Sequence, residues 1–234
     1  MKKPELLENK PDIIASSLLI LLLLFISCFI SFIEKSLLKS SLTVEKRIML
    51  GFSNTVFIES FFLLYIFKKY GTFLRTLFRT PSSLIKGAKT YFFIFPLLVI
   101  SGFFNYSILK LLKKEIKMQE IFYLFIKADS LTLIIMLVFL STILAPFFEE
   151  VLFRGIFYNS LRQKFSKFPS IFINGFLFSL FHQTLTNIIG IFLLGCFLAY
   201  LMEKHKNLWP CIGLHFFNNF FATAFVLCLK YLNQ

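Results

Sequence analysis

Charged side chains are scarce in this sequence, and acidic ones are the scarcer kind. Only 16% of the 234 residues are charged, and 12 acidic residues stand against 25 lysines and arginines. Hydrophobic residues make up 57% of the chain, which has 35 phenylalanines and a mean hydropathy of +0.78. A soluble domain rarely has so much apolar material, because its surface must be covered with polar side chains, so a soluble fold is disfavoured. The composition predicts an all-α, polytopic integral membrane protein.

The sequence also lacks any polar segment long enough to form a second domain, and no internal repeat is visible. Residues 1–234 are therefore predicted to form a single integral membrane domain. About seven to eight transmembrane helices are expected, enclosing a polar intramembrane cavity. The predicted spans are 13–33, 48–67, 90–109, a fourth that begins at 131–148 and continues into the polar stretch after it, 170–182, 188–202 and 209–232.

The basic residues form no patch typical of a nucleic-acid-binding protein. They lie in short clusters between apolar runs, where a membrane protein meets anionic headgroups, so the bilayer is the expected partner and nucleic acid is not. One cluster, residues 68–89, has apolar residues at helical spacing and predicts a surface helix divided by Pro81. The distribution of lysine and arginine favours a cytoplasmic N-terminus. The short basic chain is typical of a bacterial plasma-membrane protein.

Several catalytic signatures are absent. The four cysteines lie in apolar runs and form no CxxC pair, which indicates small core or lipid-facing residues. No HExxH sequence is present, and no motif places a serine or cysteine as a nucleophile. Covalent catalysis is therefore disfavoured.

The acidic residues and histidines that remain are unusually placed. Most acidic residues lie in loops or near the termini, but Glu59, Glu149 and Glu150 lie in apolar segments, as do two of the three histidines, His182 and His215. Ionisable groups at membrane depth are costly unless they pair or line a wet cavity, so they usually mark function.

The spacing of these residues predicts which of them meet. Glu150 and Arg154 are four residues apart, so they share a helical face and can pair. Glu149 is turned about 100° from Glu150 and can point toward a cavity. His215 and Asn219 also share a face. Pro146 removes a helical hydrogen bond just before the glutamates and is expected to open the backbone there.

Each piece alone also has a structural interpretation. A Glu–Arg pair at this spacing is usually a salt bridge, and a lone histidine on an apolar helix is usually a satisfied core residue. Asn218 and Asn219 could join helices through hydrogen bonds. Glu59 could be structural or an auxiliary polar group of the site. The occurrence of the other pieces together, on three different helices, favours function.

Three short motifs resemble those of the CPBP intramembrane proteases. This family includes the CAAX prenyl endopeptidases of the Ras-converting type and the bacterial Abi proteins, and the resemblance covers about residues 130–230. The motifs, each on a predicted membrane helix, are Glu149-Glu150-x-x-x-Arg154, Phe178-x-x-x-His182 and His215-x-x-x-Asn219.

The resemblance implies an all-α membrane protease that cleaves a membrane-embedded or membrane-associated peptide or protein. It implies that Glu149 activates water and that His182 assists it. His215 and Asn219 would stabilise the oxyanion or bind the water. Glu150 and Arg154 would be the structural pair that orients the site.

Two questions remain open from the sequence. Glu149, His182 and His215 could bind Zn²⁺ with one open position, or the same residues could act without a cofactor. The chain could also be a non-catalytic membrane scaffold or sensor that retains the protease fold. A transporter with Glu59 and Glu149 as a proton relay is disfavoured, because paired repeats are missing.

Overall fold

The computed structural model of the chain describes residues 10–37, 43–116, 118–182 and 184–232. Within these ranges the fold is all-α, as predicted, with no strand. Residues 1–9, and residues 38–42 after the first predicted span, lie outside the described part. The helices within it are α1 Ile13–Leu37, α2 Val44–Arg75, α3 Leu84–Leu111, α4 Glu120–Lys127, α5 Leu131–Leu161, α6 Lys167–Phe181, α7 Ile188–His205 and α8 Leu208–Leu232.

Short polar side chains begin three of the helices by accepting hydrogen bonds from free backbone N–H groups. Thr43 accepts from Lys46 N at the start of α2, and Ser130 accepts from Leu133 N at the start of α5. Asp12 accepts from the backbone of the first turn of α1, and these bonds hold the pKa of Asp12 below its usual value. Helix α7 ends at a left-handed residue, Lys206, whose N–H donates to Met202 O.

Five segments in the described ranges are long and apolar enough to cross a membrane. Only between 17% and 44% of the most apolar window of each is buried within the protein. Most of their apolar side chains therefore face outward, which is favourable in lipid and not in water. The polytopic membrane fold is confirmed, while the count of seven to eight spans stays a prediction. The five segments are Ile48–Arg75, Pro81–Leu111, Leu131–Leu161, Ile188–His205 and Leu208–Leu232; Ile13–Leu23 and Lys167–Phe181 are shorter apolar helices.

The predicted surface helix over residues 68–89 was wrong. Helix α2 continues through the basic residues to Arg75, and α3 starts at Leu84 after a single 3₁₀ turn, Pro81–Ser83. Lysine and arginine at the end of a membrane helix can extend their charged groups to the interface while their stems stay on the apolar surface. Positive charge therefore does not end these helices.

Two close helix crossings hold the bundle together, and both depend on glycine. Gly175 on α6 faces Gly195 on α7, and a Cβ on Gly195 would lie 2.9 Å from Gly175 Cα. Gly87 on α3 faces Gly213 on α8, where an added Cβ on either residue would collide with the other helix's backbone. Small residues let membrane helices approach to backbone contact. The crossings fix α6, α7 and α8 around α5, the helix that carries the glutamate pair.

Candidate active site

Helix α5 changes its winding on both sides of the glutamate pair. A π-helical segment, Leu140–Leu144, precedes the short α-helical stretch Ala145–Glu150, and a second π-helical segment, Val151–Tyr158, follows it. The first is marked by the N–H of Ala145, which donates to Leu140 O, five residues back. π-Helical turns are rare in proteins, and those that occur are frequently found at functional sites.

Pro146 explains one contact of Asn219. Proline has no N–H, so in the register of the first π segment the carbonyl five residues before it, that of Ser141, loses its helical partner. Asn219 Nδ2 on α8 donates to Ser141 O at 2.8 Å, and Asn219 Oδ1 accepts from Asn218 Nδ2 at 3.1 Å. The Asn219 side chain thus satisfies the carbonyl that Pro146 leaves open.

Glu150 is the centre of a fully buried ionic group. Its Oε1 accepts from Arg154 Nη1 at 2.9 Å, and neither side chain is exposed to solvent. His215 Nδ1 on α8 lies 2.8 Å from the same oxygen. Arg154 Nη2 also donates to the carbonyl of Gly195 on α7, at 3.1 Å. The group therefore ties α5 to both α7 and α8.

The Phe178 ring connects the residues of this group. It lies under the Arg154 guanidinium, with the central carbon 4.2 Å from the ring centroid, and it makes an edge contact with the His215 ring. Its ring centroid is 4.6 Å from that of His182, and its backbone oxygen is 2.9 Å from His182 Nδ1. Phe178 thus orients both histidines and adds a cation–π contact to the arginine.

Glu149 points away from that group and toward the two histidines. Its Oε2 is 3.7 Å from His182 Nε2 and 3.9 Å from His215 Nε2, and it is buried with no hydrogen-bond partner. The Glu149 side chain is 15% exposed and that of His182 is 27% exposed, whereas that of His215 is 2% exposed. The cluster is therefore accessible from the side of Glu149 and His182.

The hydrogen bonds at the two Nδ1 atoms determine whether each Nε2 atom is a hydrogen-bond donor or an acceptor. A carbonyl oxygen accepts only, so His182 Nδ1 carries a proton, and His215 Nδ1 does so beside an ionised Glu150. In their neutral forms both histidines then present an Nε2 lone pair to the Glu149 carboxylate. Three acceptors converge with no donor among them. Such a site holds a water molecule, an added proton or a cation.

The donor types suit Zn²⁺, and both imidazoles are anchored at their other nitrogen as metal ligands are. The spacing does not suit it. Ligand atoms about 2.0–2.1 Å from a tetrahedral ion lie about 3.3 Å from one another, less than either separation at Glu149 Oε2. Within the described residues, no group of three or more histidine, cysteine, aspartate or glutamate side chains is arranged to hold a metal ion. The three side chains therefore stand farther apart than the ligand atoms of a closed tetrahedral zinc shell.

A cavity of about 390 Å³ opens beside Glu149, between α1, α2, α4 and α5. Glu59 on α2 and Glu120 at the start of α4 line the same cavity. Glu59 is close enough to Glu149 for the two charges to interact. Glu59, for which the sequence left a structural and an auxiliary role open, thus lies on the wall of the cavity that reaches Glu149.

The residues predicted for the site are not all in one place. Glu149, Glu150, Arg154, His182 and His215 form a connected cluster, Glu59 lies across the cavity, and Asn219 contacts Ser141 and Asn218.

Sequence reasoning missed the ring contacts of Phe178, the role of Gly195 O and the cavity position of Glu120. Phe178 carried a signal, since it begins the second motif. Gly195 and Glu120 carried none, because their contacts come from helices remote in sequence.

Comparison with known proteins shows which family this chain resembles. Residues 131–221 match a family described as "Type II CAAX prenyl endopeptidase Rce1-like". The chain is also 26% identical over 99 residues to a Bacillus subtilis (strain 168) protein named "Putative membrane peptidase YdiL". Both findings support the CPBP/CAAX protease family. The family prediction made from the three motifs is thereby confirmed.

The match to the Bacillus subtilis protein is partial. It covers 42% of this chain and 41% of that relative. No solved structure matches the chain. The CPBP/CAAX family match includes every residue of the cluster around Glu149 and Glu150, and Asn219 as well, but not Glu59.

Proposed function

We propose that the chain is an intramembrane endopeptidase that hydrolyses a peptide bond in a membrane-associated protein or peptide. The observation that carries the proposal is the unpartnered Glu149 Oε2, which faces both histidine Nε2 atoms at the end of a cavity. The match to a CAAX protease family supports the same reaction class.

Glu149 and His182 are spaced to bind one water molecule between them. Two acceptors 3.7 Å apart both lie within hydrogen-bond reach of a single water oxygen, at about 2.8 Å from each. Such a water donates one hydrogen to Glu149 and one to His182, and its own lone pair points away from both. A peptide carbonyl carbon brought to that lone pair from the cavity is in position for attack.

Proton transfer follows from the same geometry. Glu149 takes a proton as the water oxygen bonds to the carbonyl carbon, and the resulting carboxylic acid returns it to the leaving amine as the C–N bond breaks. The carbonyl oxygen becomes negative in between. His215, which Glu150 orients through Nδ1, would serve this oxygen as a hydrogen-bond donor from a protonated Nε2. No covalent enzyme intermediate is required.

The remaining motif residues are assigned supporting roles. Glu150 and Arg154 hold His215 by the buried hydrogen bonds described above. Asn219 was predicted to stabilise the oxyanion or bind the water. Its contact with Ser141 O supports a positioning role, in which it holds the backbone in front of Glu149.

Purified protein in detergent, given a library of membrane-associated peptides, tests the proposal. Glu149→Gln keeps the side-chain shape but removes the base, and we expect it to reduce cleavage by about 10²–10⁴-fold. His182→Ala should have an effect of the same order. Glu45→Gln, on an exposed first-turn residue of α2, is the control and should leave cleavage intact. Cleavage that persists in both active-site variants would refute the assignment.

A further inference from the structure

The charge of the cavity is opposite to that of the chain. The protein carries a formal net charge of +13, with 25 lysines and arginines. Among the described residues that line the cavity there is no lysine, arginine or histidine, whereas three are glutamates: Glu59, Glu120 and Glu149. Because this lining has three negatively charged side chains and no positively charged one, the cavity is complementary to a cation.

Glu59 is the cavity residue whose carboxylate is least compensated by its surroundings. Its side chain is 9% exposed, and its Oε2 is buried without a hydrogen bond. It lies within the span Ile48–Arg75, where an unpaired carboxylate is costly. The nearby charge of Glu149 repels it further when both are ionised. A positive group placed between the two carboxylates would relieve both costs.

The size and lining of the cavity limit which kind of molecule can carry that positive group. A volume of about 390 Å³ is at the small end of ligand pockets and takes a few side chains. Apart from the glutamates, the wall is mostly apolar, with Leu23, Ile48, Phe52 and Ile58 on α1 and α2. This lining fits a basic side chain with apolar neighbours, as in an extended peptide lying at a membrane.

We propose that Glu59 determines substrate specificity by pairing with a lysine or arginine of the substrate peptide, next to the bond presented to Glu149. This inference rests on the proposed peptidase function, and it names the class of substrate: a basic, membrane-associated peptide. Glu59 acts by positioning the peptide and takes no part in proton transfer.

Binding is measured first, without cleavage. His182→Ala protein in zwitterionic nanodiscs is mixed with three labelled peptides that differ only in carrying lysine, glutamine or glutamate at one central position. Fluorescence anisotropy should rank lysine above glutamine and glutamine above glutamate. Adding Glu59→Gln should weaken binding of the lysine peptide by about tenfold or more, and it should reduce the ratio of its affinity to that of the glutamine peptide. Glu59→Asp, which retains the charge, should restore part of that affinity ratio.

Glu45→Gln is the matched control, since it removes a carboxylate from the exposed start of the same helix. It should leave the ranking unchanged. Equal binding of all three peptides to protein with Glu59 intact, or an equal loss in Glu45→Gln and Glu59→Gln, overturns the inference.

Cleavage of the same peptides by protein with His182 intact separates the two proposals. A lysine preference that depends on Glu59 in binding, with no cleavage of any peptide, supports the inference and contradicts the peptidase function. Cleavage of all three peptides with equal kcat/KM supports the function and contradicts the role of Glu59.

Discussion

His215 Nδ1 lies 2.8 Å from Glu150 Oε1, the oxygen that also accepts from Arg154 at 2.9 Å. The second glutamate of the pair is therefore shared between a cation and a histidine. Both side chains of the Glu150–Arg154 pair are fully buried. This contact makes the orientation of His215 depend on an ion pair, and so links the stability of the bundle to the geometry of the site.

Glu150→Gln should destabilise the protein strongly, because it leaves Arg154 buried without a counter-charge. Breaking one partner of a buried pair typically costs about 3–5 kcal/mol. Glu150→Gln with Arg154→Gln should cost less than Glu150→Gln alone, since no charge is left uncompensated. Thermal unfolding in detergent measures both values.

The control for this prediction is Glu203, which pairs with Arg162 and Lys206 at the end of α7, where the partners are partly exposed. Solvent screens such a pair, so Glu203→Gln should cost less than Glu150→Gln. A double variant as unstable as the sum of its two single variants would contradict the buried-pair account.

Apolar run length predicted the helical class and most of the spans, because a membrane helix must be long and apolar whatever it packs against. The four-residue spacing of Glu150 and Arg154 likewise needs only helix geometry. The contact between His215 and Glu150 joins residues 65 apart, and it depends on how α8 packs on α5. Nothing in the local sequence specifies that packing.

The π-helical winding of α5 also could not be predicted from the sequence. In a regular α-helix, Pro146 would leave free the carbonyl four residues before it, that of Thr142. In the structure the π register moves the free carbonyl to Ser141, and a side chain from α8 fills the gap. One extra residue in a turn leaves the apolar pattern almost unchanged, so periodicity does not reveal it.

Asn219→Ala should lower activity by loosening the backbone before Glu149, and Pro146→Ala should compensate in part. Alanine at position 146 restores an N–H that can reach the carbonyl left free when Asn219 is removed. A lost hydrogen bond to a buried group costs about 1–3 kcal/mol, so the unfolding free energy should fall and then recover in the double variant.

A double-mutant cycle on the unfolding free energy and kcat measures this coupling. If Asn219 acted by direct contact with the oxyanion, stability would change little and Pro146→Ala would restore no activity. Recovery of both quantities together supports the positioning role.

Gly87→Ala should destabilise the bundle, because the new methyl group would meet the backbone of Pro210 and Leu214 on α8. Backbone cannot move aside as a side chain can, and such overpacking typically costs about 1–3 kcal/mol. Gly102→Ala, in the same helix with nothing within 4 Å of the new carbon, is the matched control. It should be neutral or stabilising, by up to about 1 kcal/mol. Equal unfolding temperatures for the two variants would exclude close packing at Gly87.

Cleavage activity should survive removal of divalent metal, because the separations of 3.7 and 3.9 Å at Glu149 Oε2 suit a bridging water better than a closed zinc coordination shell. The measurement is elemental analysis of chelator-treated protein together with a cleavage assay on the same preparation. We expect zinc far below one ion per chain with activity retained. His205→Ala, which removes the histidine at the end of α7, controls for zinc bound outside the site. Activity that disappears with the chelator and returns at one zinc per chain would instead make Glu149, His182 and His215 the ligands, with Glu149 no longer free to act as the base.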